Sequence, residues 1–517
     1  MRLTLKSDQK DHVKKLTDIL VKTYSCLDFS QMGSGKTFTA TAIAKEFDFE
    51  KVLVICPASV VSKWLSMKKY GLKILDVLSY EGLRSIKNHD PKHGLLKRFD
   101  EGSKTYFEAT PKLTALAKEG MLVVLDEAQR IKNKNAQWYG CKTIAETILT
   151  SGGLSRFILL SGTPIDKEKQ ALHLMEMLGY IRSEKLYTYD GFYKVLKLQG
   201  AQELVEFCYK IDFDKTKKVL DQESFNRDNV EHICYKLFQD VIKTSITSSM
   251  PPPNINGVYI DIKNAEYRVN DFSDNEVLRK AVTAVNDTFM RFQHATRFNP
   301  SDNIAGSNQN QKLLEMKEKK KQDIQAKIET IIYNLRIIEN AKMRLFVELA
   351  SKRLSENPHN KVALFVNYTS SIKGLLKDLN IYEPLVLDGS VDKEKRQSII
   401  DKFQEHNVSH RVLIGNIRVC SSGIDLNDTS KGGKFPRYVF ANPNLHILDL
   451  QQLPYRFLRL NSTSNTIFRF VYVKNHLEQG LIKNLKKKAK VMEETTGKNE
   501  DMIYVGDLDM IDGDEEL

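Results

Sequence analysis

The sequence predicts an α/β protein with two lobes, each built on a parallel β-sheet, together with helical insertions. Short, continuous apolar runs alternate with helical segments, and such runs are typical of strands that helices cover on both faces. This alternation occurs twice, over residues 24–180 and again from about residue 361. Residues 181–241, between the two regions, are mostly helical in pattern and show no strand alternation.

Apolar runs define the strands that we expect in each region. In the first region they are Cys26–Phe29, Val52–Ile55, Ile74–Leu78, Leu122–Leu125 and Phe157–Leu160. In the second region they are Val362–Val366, Leu385–Leu387, Val412–Ile414, Tyr438–Phe440 and Phe468–Tyr472.

These runs set the expected domain boundaries. The first lobe takes residues 1–180, helical insertions and a linker take 181–340, and the second lobe takes 341–492. Pro251-Pro252-Pro253 marks a break in regular structure within the insertions. Residues 308–342 have the pattern of a long charged helix, and we interpret its lysine run at 317–321 as a solvated face. The acidic end, residues 493–517, is expected to be disordered.

Composition restricts the class of protein and its partners. With 41% hydrophobic and 28% charged residues, the chain of 517 residues has material for a substantial core. Its formal net charge of +12 favours a polyanionic partner such as nucleic acid. The six cysteines are scattered without a C-x-x-C pair, which argues against a zinc site and a disulfide framework. No stretch approaches the roughly 18 apolar residues of a spanning helix, so we expect an intracellular, soluble protein and no membrane partner.

The source also bears on the expected compartment. The abundance of Lys and Asn favours an AT-rich genome, such as that of a large DNA virus or phage. The compartment would then be the infected host cell, whereas a cellular eukaryotic source would place the protein in the nucleus.

The segment Ser30-Gln31-Met32-Gly33-Ser34-Gly35-Lys36-Thr37 has the pattern of a phosphate-binding loop, because it follows an expected strand and opens a helical segment. In such loops the glycines let backbone N–H groups face the phosphates, a lysine supplies charge to the β- and γ-oxygens, and a Thr hydroxyl can ligate Mg²⁺. We therefore expect ATP and Mg²⁺ as cofactors, bound by Met32, Gly33, Ser34, Gly35, Lys36 and Thr37. One departure is that Ser30 stands where the eight-residue pattern begins with Gly.

A second anchor is the acidic pair Asp126-Glu127, which directly follows the apolar run Met121–Leu125. In ATPases with such a loop, one carboxylate at a strand end holds Mg²⁺ and the next can polarise the attacking water. Successive residues at a strand end point in different directions, so the pair suits both roles. We expect Asp126 to bind the metal and Glu127 to be catalytic.

With these anchors, the first region resembles the helicase superfamily II motors, and within them the Swi/Snf-type ATPases. The segment from Asp126 to Asn133 is similar to that family's DEAH-x-x-KN segment, with Gln129 where His is usual. Ser161-Gly162-Thr163-Pro164-Ile165 resembles its TGTPI coupling motif. Cys56-Pro57 followed by Trp64 resembles its CP…W segment, and Ser79-Tyr80-Glu81 resembles its TTYE element.

The second region resembles the same family, with its motifs in the same order. Leu364-Phe365-Val366 resembles the strand of motif IV, and Leu387-Asp388-Gly389-Ser390 followed by Arg396 resembles the hDGS…R segment. Ser422-Gly423-Ile424-Asp425-Leu426 is similar to motif V, and residues 452–459 have the Q-x-x-x-R-x-x-R spacing of motif VI. Three places depart from the family: Cys420-Ser421 replace a usual Gly-Gly pair, Arg459-Leu460-Asn461-Ser462 replaces Arg-Ile-Gly-Gln, and Tyr455 replaces a frequent Gly.

The resemblance implies two RecA-like lobes and assigns a role to each matching residue. The implied catalytic residues are Lys36, Glu127, Arg456 and Arg459, of which the two arginines would act as arginine fingers on the γ-phosphate. Thr37 and Asp126 would ligate Mg²⁺, Gln9 would read adenine, and Asp425 would contact ribose or the opposing lobe. The implied coupling residues are Gln129, Ser161, Thr163 and Gln452. The expected nucleic-acid contacts are Pro57, Ser79, Tyr80, Asn367 and Arg418.

The resemblance implies a motor that hydrolyses ATP on binding duplex DNA and translocates along it, in DNA remodelling, repair, recombination or transcription. Two alternatives stay open: a strand-separating DNA or RNA helicase of the same superfamily, and a nucleic-acid-binding scaffold with a degenerate motor. The presence of Lys36, Glu127, Arg456 and Arg459 argues against the scaffold. Nothing in the chain resembles a chromatin-reading or sequence-specific DNA module, so protein partners would supply any targeting.

Overall fold

The computed structural model of the chain describes residues 3–102, 104–181, 186–190, 195–251, 258–268, 276–295, 325–326, 328–421, 423–459, 461–496 and 508–513. The chain divides into two compact units. The first contains Met1–Asn254 and Lys488–Met502, and the second contains Ile255–Lys487 and Ile503–Leu517. Some sequence expectations lie outside the described residues, namely the lysine run at 317–321, Pro252, Pro253, Ser422, Leu460 and most of the acidic end.

The first unit is built on a six-stranded parallel sheet. The strands of the whole unit, in chain order, are β1 (Ser25–Asp28), β2 (Val52–Cys56), β3 (Ile74–Ser79), β4 (Leu96–Glu101), β5 (Lys104–Ala109), β6 (Leu122–Asp126), β7 (Arg156–Leu160), β8 (Thr188–Asp190), β9 (Val195–Lys197) and β10 (Thr247–Ser248). The sheet order is β10-β1-β7-β6-β2-β3, with every pair parallel. Two antiparallel hairpins, β4–β5 and β8–β9, lie outside this sheet.

Helices cover both faces of the first sheet. The α-helices of this unit are α1 (Ser7–Thr23), α2 (Lys36–Glu46), α3 (Val61–Leu65), α4 (Tyr80–Arg84), α5 (Pro111–Glu119), α6 (Ala136–Leu149), α7 (Glu168–Met177), α8 (Gln199–Ile211), α9 (Phe213–Gln222), α10 (Val230–Leu237) and α11 (Lys243–Ile246). Along β2, Val52 and Val54 pack into one hydrophobic cluster, whereas Leu53 and Ile55 pack into another. The two-sided burial explains why the strands are continuous apolar runs.

The topology of the first sheet brings three loops to one edge. Strands β1, β7 and β6 are neighbours, and in a parallel sheet their carboxyl ends share an edge. The phosphate-loop segment follows β1, Asp126 ends β6, and Ser161 follows β7. Ligands of open α/β sheets bind outside the carboxyl ends of the strands, so this edge is where a nucleotide site is expected.

The second unit is built on a seven-stranded parallel sheet. Its strands are β11 (Ile260–Tyr267), β12 (Lys361–Val366), β13 (Leu385–Leu387), β14 (Val412–Asn416), β15 (Arg437–Ala441), β16 (Thr466–Val473) and β17 (Met510–Asp512). Its helices are α12 (Glu276–Ala295), α13 (residues 328–341), α14 (Met343–Glu356), α15 (Thr369–Asp378), α16 (Lys393–Gln404), α17 (Ile417–Cys420) and α18 (Ile447–Gln452). A last helix, α19 (His476–Thr496), begins in this unit, and its residues from Lys488 onward belong to the first unit. The sheet order is β13-β14-β12-β15-β16-β11-β17, again with parallel pairs.

The predicted fold class is confirmed, since all ten expected apolar runs form strands of two parallel sheets. Two further strands of the second sheet lie where the sequence led to other expectations. Strand β11 falls inside the stretch assigned to helical insertions and a linker, and β17 falls inside the acidic end that was expected to be disordered. Both are held by the sheet, because β11 pairs with β16 over eight residues and with β17 on its other side. Within the described ranges, the helices include none with the length and apolar character needed to cross a bilayer.

Candidate active site

The loop between β1 and α2 has the backbone of a phosphate-binding loop. Gly33 and Gly35 adopt positive φ angles of 83° and 97°, which glycine accepts without steric cost. A Cβ atom on Gly35 would also lie 2.3 Å from Nε2 of Gln9, so space as well as conformation requires glycine there. Helix α2 begins at Lys36, and the free N–H groups of a helix N-terminus favour a bound phosphate.

Two side chains predicted to bind nucleotide hold this loop in shape. Nζ of Lys36 donates to the carbonyl oxygens of Ser30 at 2.8 Å and of Gln31 at 3.0 Å. Nε2 of the buried Gln9 donates to the carbonyl oxygen of Ser34 at 2.9 Å. Gln9 therefore lies against the loop as the prediction requires, and its reading of adenine stays a prediction.

Ser30, the residue that departs from the usual glycine, ties the loop to strand β10. Its Oγ accepts a hydrogen bond of 2.8 Å from the backbone N–H of Met250 and lies 3.4 Å from Nε2 of His12. The other ring nitrogen of His12 lies 3.1 Å from Oγ of Ser248. A glycine at this position would leave the buried N–H of Met250 without that acceptor, so the serine is a structural replacement.

A buried His–Asp pair lies beneath the same loop. Nε2 of His12 lies 3.2 Å from Oδ1 of Asp28, and both side chains are buried. Burial raises the pKa of Asp28, but the hydrogen bond and charge of His12 and the charge of Lys36 outweigh it, so the pKa lies below its usual value. The pair could not be predicted from the sequence, because neither residue belongs to a motif.

Asp126, the expected metal ligand, is oriented by two aromatic side chains. Nε1 of Trp64 donates to its Oδ2 at 2.8 Å, and the hydroxyl of Tyr80 donates to its carbonyl oxygen at 2.8 Å. Burial, and then the charge of Glu127, raise the pKa of Asp126 above its usual value. A bound cation would stabilise the charged form of this carboxylate.

A chain of hydrogen bonds joins the expected catalytic acid to the coupling residues. Glu127 adopts a left-handed φ of 54°, and its Oε2 accepts a hydrogen bond from Nε2 of Gln129. Oε1 of Gln129 accepts from Oγ of Ser161 at 2.6 Å. Oγ of Ser161 in turn accepts from the backbone N–H of Thr163 at 3.1 Å. Glu127, Gln129, Ser161 and Thr163 thus form one connected group, which we call the relay.

The relay adjoins the phosphate loop. The backbone N–H of Ser161 donates to the carbonyl oxygen of Asp28 at 3.0 Å. A Cβ atom on Gly162 would lie 3.2 Å from the carbonyl oxygen of Ser30, so the loop after β7 packs closely on the phosphate loop. A change in the position of either loop would therefore move the other.

The nucleic-acid contacts expected in the first unit lie at the carboxyl ends of strands β2 and β3. Tyr80 is fully buried and its hydroxyl donates to the carbonyl oxygen of Asp126, and Pro57 is buried directly after β2. Their contact with nucleic acid stays a prediction. Ser79 is half-buried, and its Oγ caps α4 by accepting from the N–H of Gly82 at 2.9 Å.

In the second unit, the arginines of the motif VI segment hold the motif V segment. Arg456 is 5% exposed, and its Nε donates to the carbonyl oxygen of Ser421 at 2.9 Å. Nε of Arg459 donates to Oδ1 of the exposed Asp425 at 2.5 Å. The structure thus brings both arginines and Asp425 together, and their action on ATP stays a prediction.

The other expected residues of the second unit lie near strand ends. Asn367 follows β12 and is half-buried, whereas Arg418, on the short helix α17, is exposed. Gln452 ends α18 and is 6% exposed. Asn367 and Arg418 are therefore accessible to a ligand at the surface of the second unit.

Comparison with known proteins identifies the family. Residues 8–343 match the family described as SNF2-related domain, which is more than half of the chain. The chain belongs to the SNF2-related family. Residues 341–431 of this SNF2-related protein also match the helicase conserved C-terminal domain. The protein is therefore an ATP-hydrolysing enzyme of helicase superfamily II, and the predicted resemblance and enzyme class are confirmed.

Individual relatives of the SNF2-related protein carry different names. It is 25% identical over 499 residues to "Putative ATP-dependent RNA helicase L364" of Acanthamoeba polyphaga mimivirus, which covers 93% of this chain and 81% of that protein. It is 22% identical over 475 residues to the Drosophila melanogaster "SWI/SNF-related matrix-associated actin-dependent regulator of chromatin subfamily A-like protein 1", which covers 89% of this chain and 52% of that protein.

A solved structure shows a weaker likeness. The structure described as "Sulfolobus solfataricus SWI2/SNF2 ATPase core in complex with dsDNA" is 16% identical and covers 98% of both chains. Its TM-score is 0.32.

Proposed function

We propose that this SNF2-related protein is an ATP-dependent translocase that moves along double-stranded DNA without obligatory strand separation. The relay carries the proposal, because it connects the expected catalytic Glu127 with the loop that would sense the nucleic-acid side. A motor needs such a connection, whereas a simple ATP-binding protein does not.

The proposed hydrolysis assigns each part of the first unit a task. Glu127 orients the attacking water, and Gln129 holds its carboxylate through one hydrogen bond. Lys36 binds the β- and γ-phosphates. Its present acceptors are neutral carbonyl oxygens, and charged phosphate oxygens are stronger acceptors, so ATP would draw Nζ away from the loop.

Thr37 and Asp126 are the residues that would hold Mg²⁺. No group of three or more His, Cys, Asp or Glu side chains in the described part of the chain could hold a metal by itself. Mg²⁺ usually takes one or two carboxylates and completes its shell with phosphate oxygens and water. The buried carboxylate of Asp126, held by Nε1 of Trp64, supplies an oxygen ligand of the kind that Mg²⁺ takes. When bound, Mg²⁺ supplies positive charge that neutralises the phosphates.

Arg456 and Arg459 are proposed to stabilise the charge that develops on the γ-phosphate. Arg456 is held by Ser421, which directly precedes the motif V segment, and Arg459 is held by Asp425 within it, so both are pre-oriented by their own unit. Pre-orientation lowers the entropy that a guanidinium loses on binding phosphate. The same segment carries Asp425, which couples any movement of the arginines to the motif V segment.

Double-stranded DNA is the proposed track, gripped through phosphates by Asn367, Arg418 and loops around Ser79. The net charge of +12 and the SWI/SNF-related name of the Drosophila relative support DNA. A strand-separating RNA helicase is the second candidate, which the name of the mimivirus relative favours.

Triplex displacement separates these candidates. The purified protein with ATP is given a duplex DNA carrying a third strand, and in parallel a tailed DNA duplex and a tailed RNA duplex. A duplex translocase displaces the third strand and leaves both tailed duplexes paired. Unwinding of either tailed duplex without triplex displacement would reject the proposal, and Lys36→Ala is the control that should be inactive in all three assays.

A further inference from the structure

One fully buried carboxylate of the second unit has no part in the proposed hydrolysis. Glu339 lies on α13 and is 0% exposed. Its two oxygens accept hydrogen bonds of 2.7–3.0 Å from Asn367 N, Asn367 Nδ2, Tyr368 N, Ser371 Oγ and Asn442 Nδ2. A carboxylate has about four lone-pair positions, so these donors use the full hydrogen-bonding capacity of the Glu339 side chain. Its position is therefore fixed by the groups around it.

The donors come from the ends of neighbouring strands. Asn367 directly follows β12, and Asn442 directly follows β15, which is paired with β12. Asn416 ends β14, the other neighbour of β12, and its Nδ2 donates to the carbonyl oxygen of Asn367 at 2.8 Å. Glu339 thus connects the carboxyl ends of three adjacent strands, directly at two and through Asn367 at the third.

The connection reaches the exposed cation at this sheet edge. Oδ1 of Asn416 accepts from the backbone N–H of Arg418 at 3.1 Å and so caps the turn that carries the arginine. The backbone N–H groups of Asn367 and Tyr368 are fixed by Glu339 itself. The positions of Asn367 and Arg418, both proposed to grip phosphate, therefore depend on one buried carboxylate.

Glutamine is a poor substitute at this position despite its equal size. An amide has one acceptor oxygen and would turn an NH₂ group toward donors that now face carboxylate oxygens. Hydrogen bonds to a charged acceptor are stronger than those to a neutral one, so losing the carboxylate should loosen the turn after β12. The loss would be local, because the donors lie on loops and the first turn of α15.

We infer that Glu339 is a positioning residue for nucleic-acid binding by the second unit, holding Asn367 and Arg418 where phosphates can reach them. The inference rests on the proposed function for the identity of the ligand. It assigns Glu339 an effect on affinity for nucleic acid, and no contact with ATP.

The test compares Glu339→Gln with Glu478→Gln. Glu478 is the matched control, since it is 2% exposed in the same unit, pairs with Lys342 at 2.6 Å and accepts the N–H of Val473 at 2.7 Å. We expect Glu339→Gln to weaken binding of a fluorescent duplex DNA about tenfold, as for the loss of about 1.4 kcal/mol. Glu478→Gln should lower thermal stability and leave the affinity for DNA within about twofold, a change of about 0.4 kcal/mol. Equal weakening in both variants, or none in Glu339→Gln, overturns the inference.

Two further measurements keep the outcome unambiguous. Hydrogen exchange of the peptide that contains Asn367 and Tyr368 should be faster in Glu339→Gln and unchanged in Glu478→Gln; unchanged exchange in both contradicts the positioning role. If Glu339→Gln does not fold, Ser371→Ala removes one donor, keeps the charge, and should shift affinity in the same direction by less; no shift in this variant contradicts the inference.

The affinity measurement needs no hydrolysis. Wild-type protein that binds DNA but shows no stimulation of its ATPase by DNA would therefore contradict the proposed function and not the role of Glu339. Wild-type protein that binds neither duplex DNA nor RNA would reject both.

Discussion

Nε1 of Trp64 donates a hydrogen bond of 2.8 Å to Oδ2 of Asp126, and both side chains are buried. Trp64 therefore orients the carboxylate that we assign to Mg²⁺. Partners of this kind fix the direction of a metal ligand, and their removal typically lowers metal affinity or activity 10- to 100-fold.

Substituting Trp64 by Phe should thus raise the Mg²⁺ concentration needed for half-maximal ATPase activity about tenfold. Titration of the ATPase activity with Mg²⁺ at a fixed ATP concentration measures this half-maximal Mg²⁺ concentration. Trp138→Phe is the control, because Trp138 is equally buried in the first unit and its Nε1 has no hydrogen-bond partner among the described residues. The assignment fails if the two variants show the same Mg²⁺ dependence.

Removing Gln129 should break the relay in its middle. Gln129→Ala removes the hydrogen bond that Nε2 donates to Oε2 of Glu127 and the one that Oε1 accepts from Oγ of Ser161, so the ratio of stimulated to unstimulated ATPase rates should fall about tenfold, or about 1.4 kcal/mol. Ser161→Ala should act on the same link, and the double variant should be no worse than Gln129→Ala alone. Additive losses in steady-state rates would show that the two residues act separately, and exposed Gln202→Ala serves as the control.

Ser30 offers a test of how this phosphate loop departs from the common pattern. Ser30→Gly restores the usual residue, yet it removes the acceptor for the buried N–H of Met250. An unsatisfied buried donor costs about 1–3 kcal/mol, so the midpoint of urea unfolding should fall. Exposed Ser59→Ala should leave the midpoint unchanged. A Ser30→Gly protein as stable as wild type would refute the structural role.

Lys361 should make stability depend on pH. It is fully buried at the start of β12, and burial, followed by the charge of Arg437, lowers its pKa to about 8. The unfolded pKa is about 10.4, so between these values the unfolded state binds the extra proton and stability rises with pH. This contribution is on the order of 1 kcal/mol per pH unit within the window.

Lys361→Met lacks that titration and is the comparison that isolates it. Unfolding free energies of both proteins, measured in urea at about pH 7.5 and about pH 9.5, should diverge in favour of the wild type as pH rises. Parallel curves would mean that Lys361 keeps an ordinary pKa. Lys361→Met also removes the hydrogen bonds that Nζ donates to the carbonyl oxygens of Phe403 and Glu405, and this loss is present at both pH values.

The elements with a local signal in the sequence could be predicted from it. Strands such as β6 and β12 are continuous apolar runs because helices cover both faces, and the phosphate loop needs glycines at Gly33 and Gly35. Strand β11 escaped detection because it carries polar residues such as Asp261 and Asn264. Their partners are distant: Asp261 pairs with Arg469, and Asn264 contacts the backbone of Leu508 next to β17.

The residues of the candidate site also differ in whether the sequence carries a signal for them. Motif residues such as Lys36 and Gln129 were expected from the resemblance, whereas His12 and Glu339 were not. Each of these two is a single polar residue on a helix, and only the folded chain brings it to its partners. Tyr80 was expected, from its place in a family segment, to contact nucleic acid; its hydroxyl donates to the carbonyl oxygen of Asp126, and the expected contact stays a prediction.

The central claim is tested most directly by the ATPase rate of the purified protein without nucleic acid and with single-stranded DNA, duplex DNA or RNA. We predict the highest rate with duplex DNA and no hydrolysis in Lys36→Ala under any condition. Equal wild-type rates in all four conditions, or hydrolysis by Lys36→Ala at the wild-type rate, would contradict the account.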